Sequence, residues 1–278
     1  MTGAPEPGSK LPAGRVSAGD PLVRARGLRV RYGRREVLRG VDLDVYRGET
    51  LVILGPSGCG KSTLLRQLEA LERPTAGSVE IGGVDVLKAS RREMEKVRRM
   101  MGVSFQSAAM FNSMTVGDNV ALPLREHTDL ADSTIRLMTR MKLQQVGLSG
   151  VEDLYPAQLS GGMRKRASLA RALALDPEIL FFDEPSAGLD PIIGAGIDQL
   201  ILRLKEAFRM TMIIVTHEMQ SAFQIADRMC MLDRGRILAV GTAEEIRKHP
   251  HPRVRQFLQR IPDAFDEGSS SYITGFAG

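Results

Sequence analysis

Cysteine is scarce in this chain of 278 residues, which has only Cys59 and Cys230. Their separation fits neither a metal-ligand spacing nor a disulfide framework, so a stapled secreted domain is excluded and a reducing, cytosolic compartment is expected. Also missing is any apolar run near the roughly 18 residues that a membrane-spanning helix needs, so the chain is expected not to cross a bilayer by itself. The first twenty residues are rich in Gly, Pro, Ala and Ser and contain Glu6 and Asp20. They lack the apolar centre of a secretory signal, and their acids argue against a transit peptide, so residues 1–21 are expected to form a disordered tail.

Positive charge is in modest excess, with a net +5 and a pI of about 9.4. Much of it falls in residues 24–35 and 91–99, which read as solvated strand and helix faces rather than a nucleic-acid footprint. No nucleic-acid partner is expected, while weak attraction to anionic lipid headgroups stays open. Against these absences stands a hydrophobic fraction of 43%, enough for a substantial core.

Val41, Leu43 and Val45 alternate with Asp42 and Asp44, predicting an antiparallel sheet over residues 22–45. The apolar run 50–54 then enters a glycine loop and a helix expected at 61–70. Short strands are expected at 78–81 and 102–105. Residues 107–156 lose alternation and take helical spacing at Ile135, Met138, Met141 and Val146, predicting a helical insertion. Beyond it the pattern predicts helix 164–175, strand 178–182, helix 192–208, strand 211–215, helix 219–226 and a hairpin over 229–240. Alternating strands and helices imply an α/β fold with a mostly parallel sheet covered on both faces. After Pro250, Val254, Phe257, Leu258 and Ile261 suggest a short amphipathic helix, packed either on its own domain or on a partner.

Three motifs carry the chemistry. Gly55-Pro56-Ser57-Gly58-Cys59-Gly60-Lys61-Ser62-Thr63 has the spacing of a phosphate-binding P-loop. Its glycines let the backbone curl around phosphates at the positive end of a helix, Lys61 reaches the β- and γ-phosphates, and Ser62 is a Mg²⁺ ligand with Thr63 beside it. Asp183 ends the apolar run Ile179-Leu180-Phe181-Phe182 at the edge of the sheet where ligands bind, placed to hold Mg²⁺, and Glu184 follows as the candidate general base. Ser160-Gly161-Gly162, between Leu159 and Met163, offers a hydroxyl and bare amides at a helix start, a second anion site.

In this order the motifs resemble the nucleotide-binding subunit of an ATP-binding cassette (ABC) machine, a P-loop NTPase fold with an antiparallel β subdomain and a helical subdomain. The resemblance runs from about Leu22 to Asp263. It implies an ABC ATPase domain over 22–248, a helical subdomain at about 107–157 and a C-terminal extension over 249–278. It further implies ATP and Mg²⁺, with His217 as the switch histidine contacting the γ-phosphate. Gln106 becomes the Q-loop residue that senses the metal, and Tyr32 an aromatic stacked on adenine, the other reading of Tyr32 being a strand residue on the core. Ser160, Gly161 and Gly162 would complete the ATP site of the opposite subunit in a head-to-tail homodimer, with Ser186-Ala187-Gly188-Leu189-Asp190 as the D-loop along that interface. Met163 departs from the Gln of many relatives and leaves the phosphate-contacting Ser and Gly intact.

Residues 105–127, 159–166 and 252–258 are similar to the ATPases of Mla-type (maintenance of lipid asymmetry) phospholipid transporters. That likeness implies an integral membrane permease and a lipid-binding MCE-type subunit as partners, at the cytoplasmic face of the inner membrane. Met110, Phe111 and Met114 are then candidates for a cleft that receives a permease helix, or else core fillers. The alternatives are an ATPase for a small solute and a soluble ABC factor acting on ribosomes or DNA. One cassette and a short insertion count against the latter.

Overall fold

The structure, a computed structural model, describes residues 19–262. Residues 1–18 and 263–278, on which most of the two expected tails fall, lie outside the described residues. Strands β1 (Val23–Tyr32) and β2 (Arg35–Val45) pair antiparallel, with Val23 opposite Val45 and Val30 opposite Leu38. Strand β4 (Ala76–Ile81) joins the free edge of β1, and β5 (Val84–Asp85) closes the sheet in the order β2-β1-β4-β5. The alternation read from the sequence is realised: Val41, Leu43 and Val45 are buried, with Asp42 exposed and Asp44 half-buried between them, and the arginines of β1 face outward. Arg26 donates to both carboxylate oxygens of Asp44 at 2.7 and 2.8 Å, Arg24 to Glu80 at 3.2 Å and Arg29 to Glu36 at 2.9 Å.

A six-stranded sheet adds β3 (Thr50–Leu54), β6 (Met101–Ser104), β7 (Ile179–Asp183), β8 (Thr211–Val215), β9 (Arg228–Asp233) and β10 (Arg236–Gly241) in the order β10-β9-β3-β8-β7-β6. All its pairs are parallel except β9 with β10, an antiparallel hairpin at the edge. Both faces of this sheet are covered, which is why its central strands are continuous apolar runs. Leu51, Ile53, Phe181 and Val215 point into a core shared with β1, β2 and helix α1 (Lys61–Leu68). Val52, Leu54, Phe182 and Ile214 point into the opposite core, with helices α5 (Gly161–Ala172), α6 (Pro191–Phe208), α7 (Met219–Ile225), α8 (Ala243–Arg247) and α9 (Pro252–Leu258).

The basic run 91–99 forms helix α2 (Arg91–Arg99), on which only Val97 is buried and whose start is closed by a Ser90–Glu93 capping box. Residues 107–156 hold α3 (Val116–His127) and α4 (Asp132–Gln145), which pack on α5 and on each other. Helix α5 starts at Gly161 rather than at residue 164, because Ser160 caps it by accepting the Met163 N–H at 3.3 Å. Val254 of α9 is buried, and Phe257 and Leu258 pack on the core of the same chain. Ile261 lies past the end of that helix and is exposed.

Candidate nucleotide site

Strands β3, β7 and β8 end side by side at the carboxyl edge of the parallel sheet, with Asp183 in register with Val215 and Ile53 with Val215. Beyond those ends lie the glycine loop, Asp183 with Glu184, and His217, so three segments distant in sequence converge at the edge where α/β sheets bind ligands.

Gly55 and Gly60 shape the loop for different reasons. A Cβ on Gly55 would lie 2.0 Å from the Leu232 carbonyl oxygen of β9, so this glycine permits close backbone packing on the neighbouring strand. Gly60 stands at φ +112°, in the left-handed region, as the residue that opens α1. Helix α1 has no side-chain cap and no acid in its first turn, in contrast to the capped starts of α2, α3, α5 and α6. Its terminal amides are therefore left for an anion. Lys61 is 8% exposed, and its Nζ donates to the carbonyls of Gly55 at 2.8 Å and Pro56 at 3.1 Å, bridging the loop.

A cleft of about 390 Å³ is lined by Tyr32, Arg35, Val37, Gly58 and residues 60–63. Tyr32 therefore does not sit on the core: its side chain is exposed beside the loop, and its hydroxyl donates to Glu72. That hydrogen bond is the main cause that raises the phenol above its ordinary pKa. A second cleft, of about 500 Å³, brings Gln106 and Asp183 together with Phe105, Ser107, Ala187 and Gly188.

Asp183 has one carboxylate oxygen, Oδ1, buried and without a hydrogen-bond partner. Burial and then the charge of Glu184 push its carboxyl upward, opposed by Arg66, the Ser62 hydroxyl and Lys165. An orphaned carboxylate oxygen next to a serine hydroxyl is the donor set of a hard cation that takes its remaining oxygens from phosphate and water. Among the described residues no cluster of three or more His, Cys, Asp or Glu could hold a metal, so a dedicated all-protein cage is not the arrangement here. These residues fit Mg²⁺ bound together with a nucleotide.

Glu184 adopts φ +50°, a left-handed conformation that costs a non-glycine residue of order 1–3 kcal/mol. Three contacts to two neighbours fix it. Its N–H donates to the Val215 carbonyl at 2.9 Å, its Oε2 lies 2.8 Å from Nδ1 of His217, and the same oxygen accepts the His217 backbone N–H at 3.3 Å. His217 itself is largely exposed and faces the solvent side of this pair.

Ser160, Gly161 and Gly162 do not join these groups. They line neither the Lys61 nor the Asp183 cleft and instead face the start of α6. A Cβ on Gly162 would come 2.6 Å from Ile193 Cγ2, and one on Gly161 3.3 Å from Leu189 Cδ2. The serine is thus exposed, while the two glycines pack against Leu189 and Ile193.

Two organising residues escape the sequence patterns. Asn119 is fully buried and closes the loop before α3, accepting the Phe111 N–H at 2.8 Å and donating to the carbonyls of Phe111, Met114 and Thr115 at 3.0, 3.3 and 2.9 Å. Arg171 donates to the carbonyls of Ala109 at 2.7 Å and Ala108 at 3.2 Å. Both alanines are left-handed, at φ +46° and +63° respectively, so the arginine holds a strained stretch just past Gln106. Asn119 falls within the segment 105–127 but is not singled out there, and Arg171 reads in sequence as an ordinary polar position on a helix. Phe111 projects from this loop and is exposed, whereas Met110 and Met114 are half-buried.

The ABC transporter family profile matches residues 38–187. The chain belongs to the ABC transporter family, as its ATP-binding cassette, the ATPase module. The intermembrane phospholipid transport system ATP-binding protein MlaF of Haemophilus influenzae is 42% identical over 242 residues, which are 87% of this chain and 92% of that protein. MlaF of Escherichia coli K12 is 42% identical with 87% and 90% covered. The probable ribonucleotide transport ATP-binding protein mkl of Mycobacterium leprae is 45% identical over 236 residues, 85% of this chain and 68% of that one. Among solved structures, a dimeric bacterial ABC transporter cassette superposes with a TM-score of 0.73 at 31% identity, covering 80% of this chain and 98% of its own. A post-hydrolysis state of that cassette bound to ADP and Pi gives a TM-score of 0.72 at 30% identity.

Proposed function

We propose that this chain hydrolyses ATP as one half of a homodimer and thereby drives phospholipid movement between membranes. It would act through an integral membrane permease and a lipid-binding MCE-type subunit, as a peripheral protein on the cytoplasmic face of the inner membrane. The observation that carries the cargo is the match to MlaF proteins along nearly their whole length. The mycobacterial mkl relatives, named for ribonucleotide transport, are as similar in identity but share only about two thirds of their length with this chain, which favours the phospholipid reading.

In this reading the amides at the start of α1 and Lys61 bind the triphosphate, and Tyr32 meets the adenine. Ser62, Asp183 and Gln106 would hold Mg²⁺, which when bound supplies charge neutralisation on the β- and γ-phosphates. Glu184 takes the proton of the attacking water. His217, held by Nδ1 against Glu184, would contact the γ-phosphate through its other ring nitrogen. Ser160, exposed and capping α5, and with it Gly161 and Gly162 would meet the nucleotide of the opposite subunit. Among the described residues no helix is long and apolar enough to cross a membrane, which is why the lipid path is assigned to partners.

Affinity purification of the full chain from native membranes in mild detergent tests the assignment. Recovery with a multi-span permease, a lipid-binding subunit and bound phospholipid is expected. Recovery with a permease and a soluble-solute receptor would overturn the cargo.

A further inference from the structure

Residues 164–166, Arg-Lys-Arg, look in sequence like a solvated basic run, yet the three side chains go to different places. Arg164 is exposed, and Arg166 donates to the Val146 carbonyl at the end of α4 at 3.0 Å. Lys165 turns inward and is 9% exposed. Its Nζ donates to the backbone carbonyl of Gln106 at 2.6 Å and to the backbone carbonyl of Glu184 at 3.2 Å.

A buried ammonium is costly unless it is paired and hydrogen-bonded. Here the compensation comes from those two carbonyls and from the carboxylates of Asp183 and Glu184, whose charges act on it. One cation thus contacts the loop that carries Gln106 and the left-handed residue whose carboxylate contacts His217. It stands on α5, the helix that opens with Ser160 and packs against α3 and α4 on one side and β6 on the other. A small shift of α5 against the sheet therefore alters how the Glu184 backbone is held.

We propose that Lys165 is the positioning residue that ties the Glu184 backbone and the Gln106 loop to α5, so that movement of the helical segment is felt at the hydrolytic base within the same subunit. This rests on the reading of Glu184 as general base. Removing the ammonium leaves the Gln106 carbonyl without its donor and the Glu184 carbonyl with the Ala187 N–H alone, and so frees a strained backbone to relax, with no loss of a group that touches ATP.

The test is steady-state ATPase kinetics on the full chain carrying Lys165→Met, Lys165→Arg or Glu184→Gln, with ATP affinity and thermal unfolding measured alongside. Lys165→Met is expected to lower kcat by about tenfold or more with KM for ATP within about twofold, and Lys165→Arg, which restores a buried donor, to recover most of the loss. Should the Met variant fail to fold, Lys165→Leu, which likewise lacks a donor, takes its place under the same expectation. A kcat within about twofold of the parent, a rise in KM at unchanged kcat, or an Arg variant no better than Met would each overturn the proposal. Glu184→Gln separates the two claims: if it is inactive while Lys165→Met turns over normally, only the positioning role fails, whereas if it is active the base assignment fails as well.

Discussion

Glu184 sits where three strand ends meet, and its side chain is aimed by His217 rather than by burial alone. Replacing its carboxylate with an amide removes the proton acceptor while leaving the glycine loop, Lys61 and Asp183 in place. Glu184→Gln is expected to bind ATP with parental affinity and to lose turnover by at least about a hundredfold, the scale of a lost general base. Nucleotide binding by equilibrium titration and phosphate release check the two halves separately, and near-parental phosphate release would remove Glu184 from the role. A second carboxylate offers a test through pH. Burial, and after it the charge of Asp183, raises Glu69 from 4.5 to about 8, against the pull of Arg66. Since the folded value exceeds the unfolded one, the folded chain keeps a proton between these limits that the unfolded chain has released, and stability falls as pH rises through that window. Glu69→Gln is neutral throughout, so its Tm should drop less than the parent's between about pH 5 and about pH 8 in Mg²⁺-free buffer. Equal drops would contradict the assignment.

At the scale of elements, the legible parts were those in which one local rule decides. Apolar runs ending on Gly55 or Asp183 marked β3 and β7, and the run 211–215 marked β8, because strands buried on both faces need no alternation to be recognised. The glycine loop, Asp183, Glu184 and His217 were readable for the same reason, each following directly on such a strand. The start of α5 was misplaced because glycines count against a helix, while the Ser160 cap outweighs that penalty. Lys165, Asn119 and Arg171 were not legible, since their partners are backbone carbonyls, which leave no trace in residue type. Asn119 gives the clearest element-scale prediction. Truncation to Ala leaves the Phe111 N–H and the Met114 carbonyl unpaired, so Asn119→Ala should cost about 2–3 kcal/mol in denaturant unfolding. It should also weaken any stimulation of ATPase by the permease, because the exposed Phe111 rides on that loop. A variant with parental stability would show that the loop holds its shape by other means.

For the whole molecule, the parallel sheet separates two cores and gathers the candidate catalytic groups at one edge, while the exposed Ser160 stands elsewhere, its neighbouring glycines packed against Leu189 and Ile193. On the proposed function, one chain holds a phosphate loop with its acids and a separate helix start offered to an anion, an arrangement that would become a complete site when two chains meet head to tail. On the proposed function, work reaches lipid through membrane-spanning partners, since among the described residues no helix is long and apolar enough to cross a membrane. The most direct measurement is transfer of a fluorescent phospholipid between donor and acceptor vesicles by the purified membrane complex reconstituted into the donors, with this chain in parental or Glu184→Gln form. Transfer that requires ATP and disappears in the variant is the expected result. Transfer indifferent to ATP, or no transfer while a soluble ribonucleotide or other small solute is moved at the expense of ATP, would contradict it.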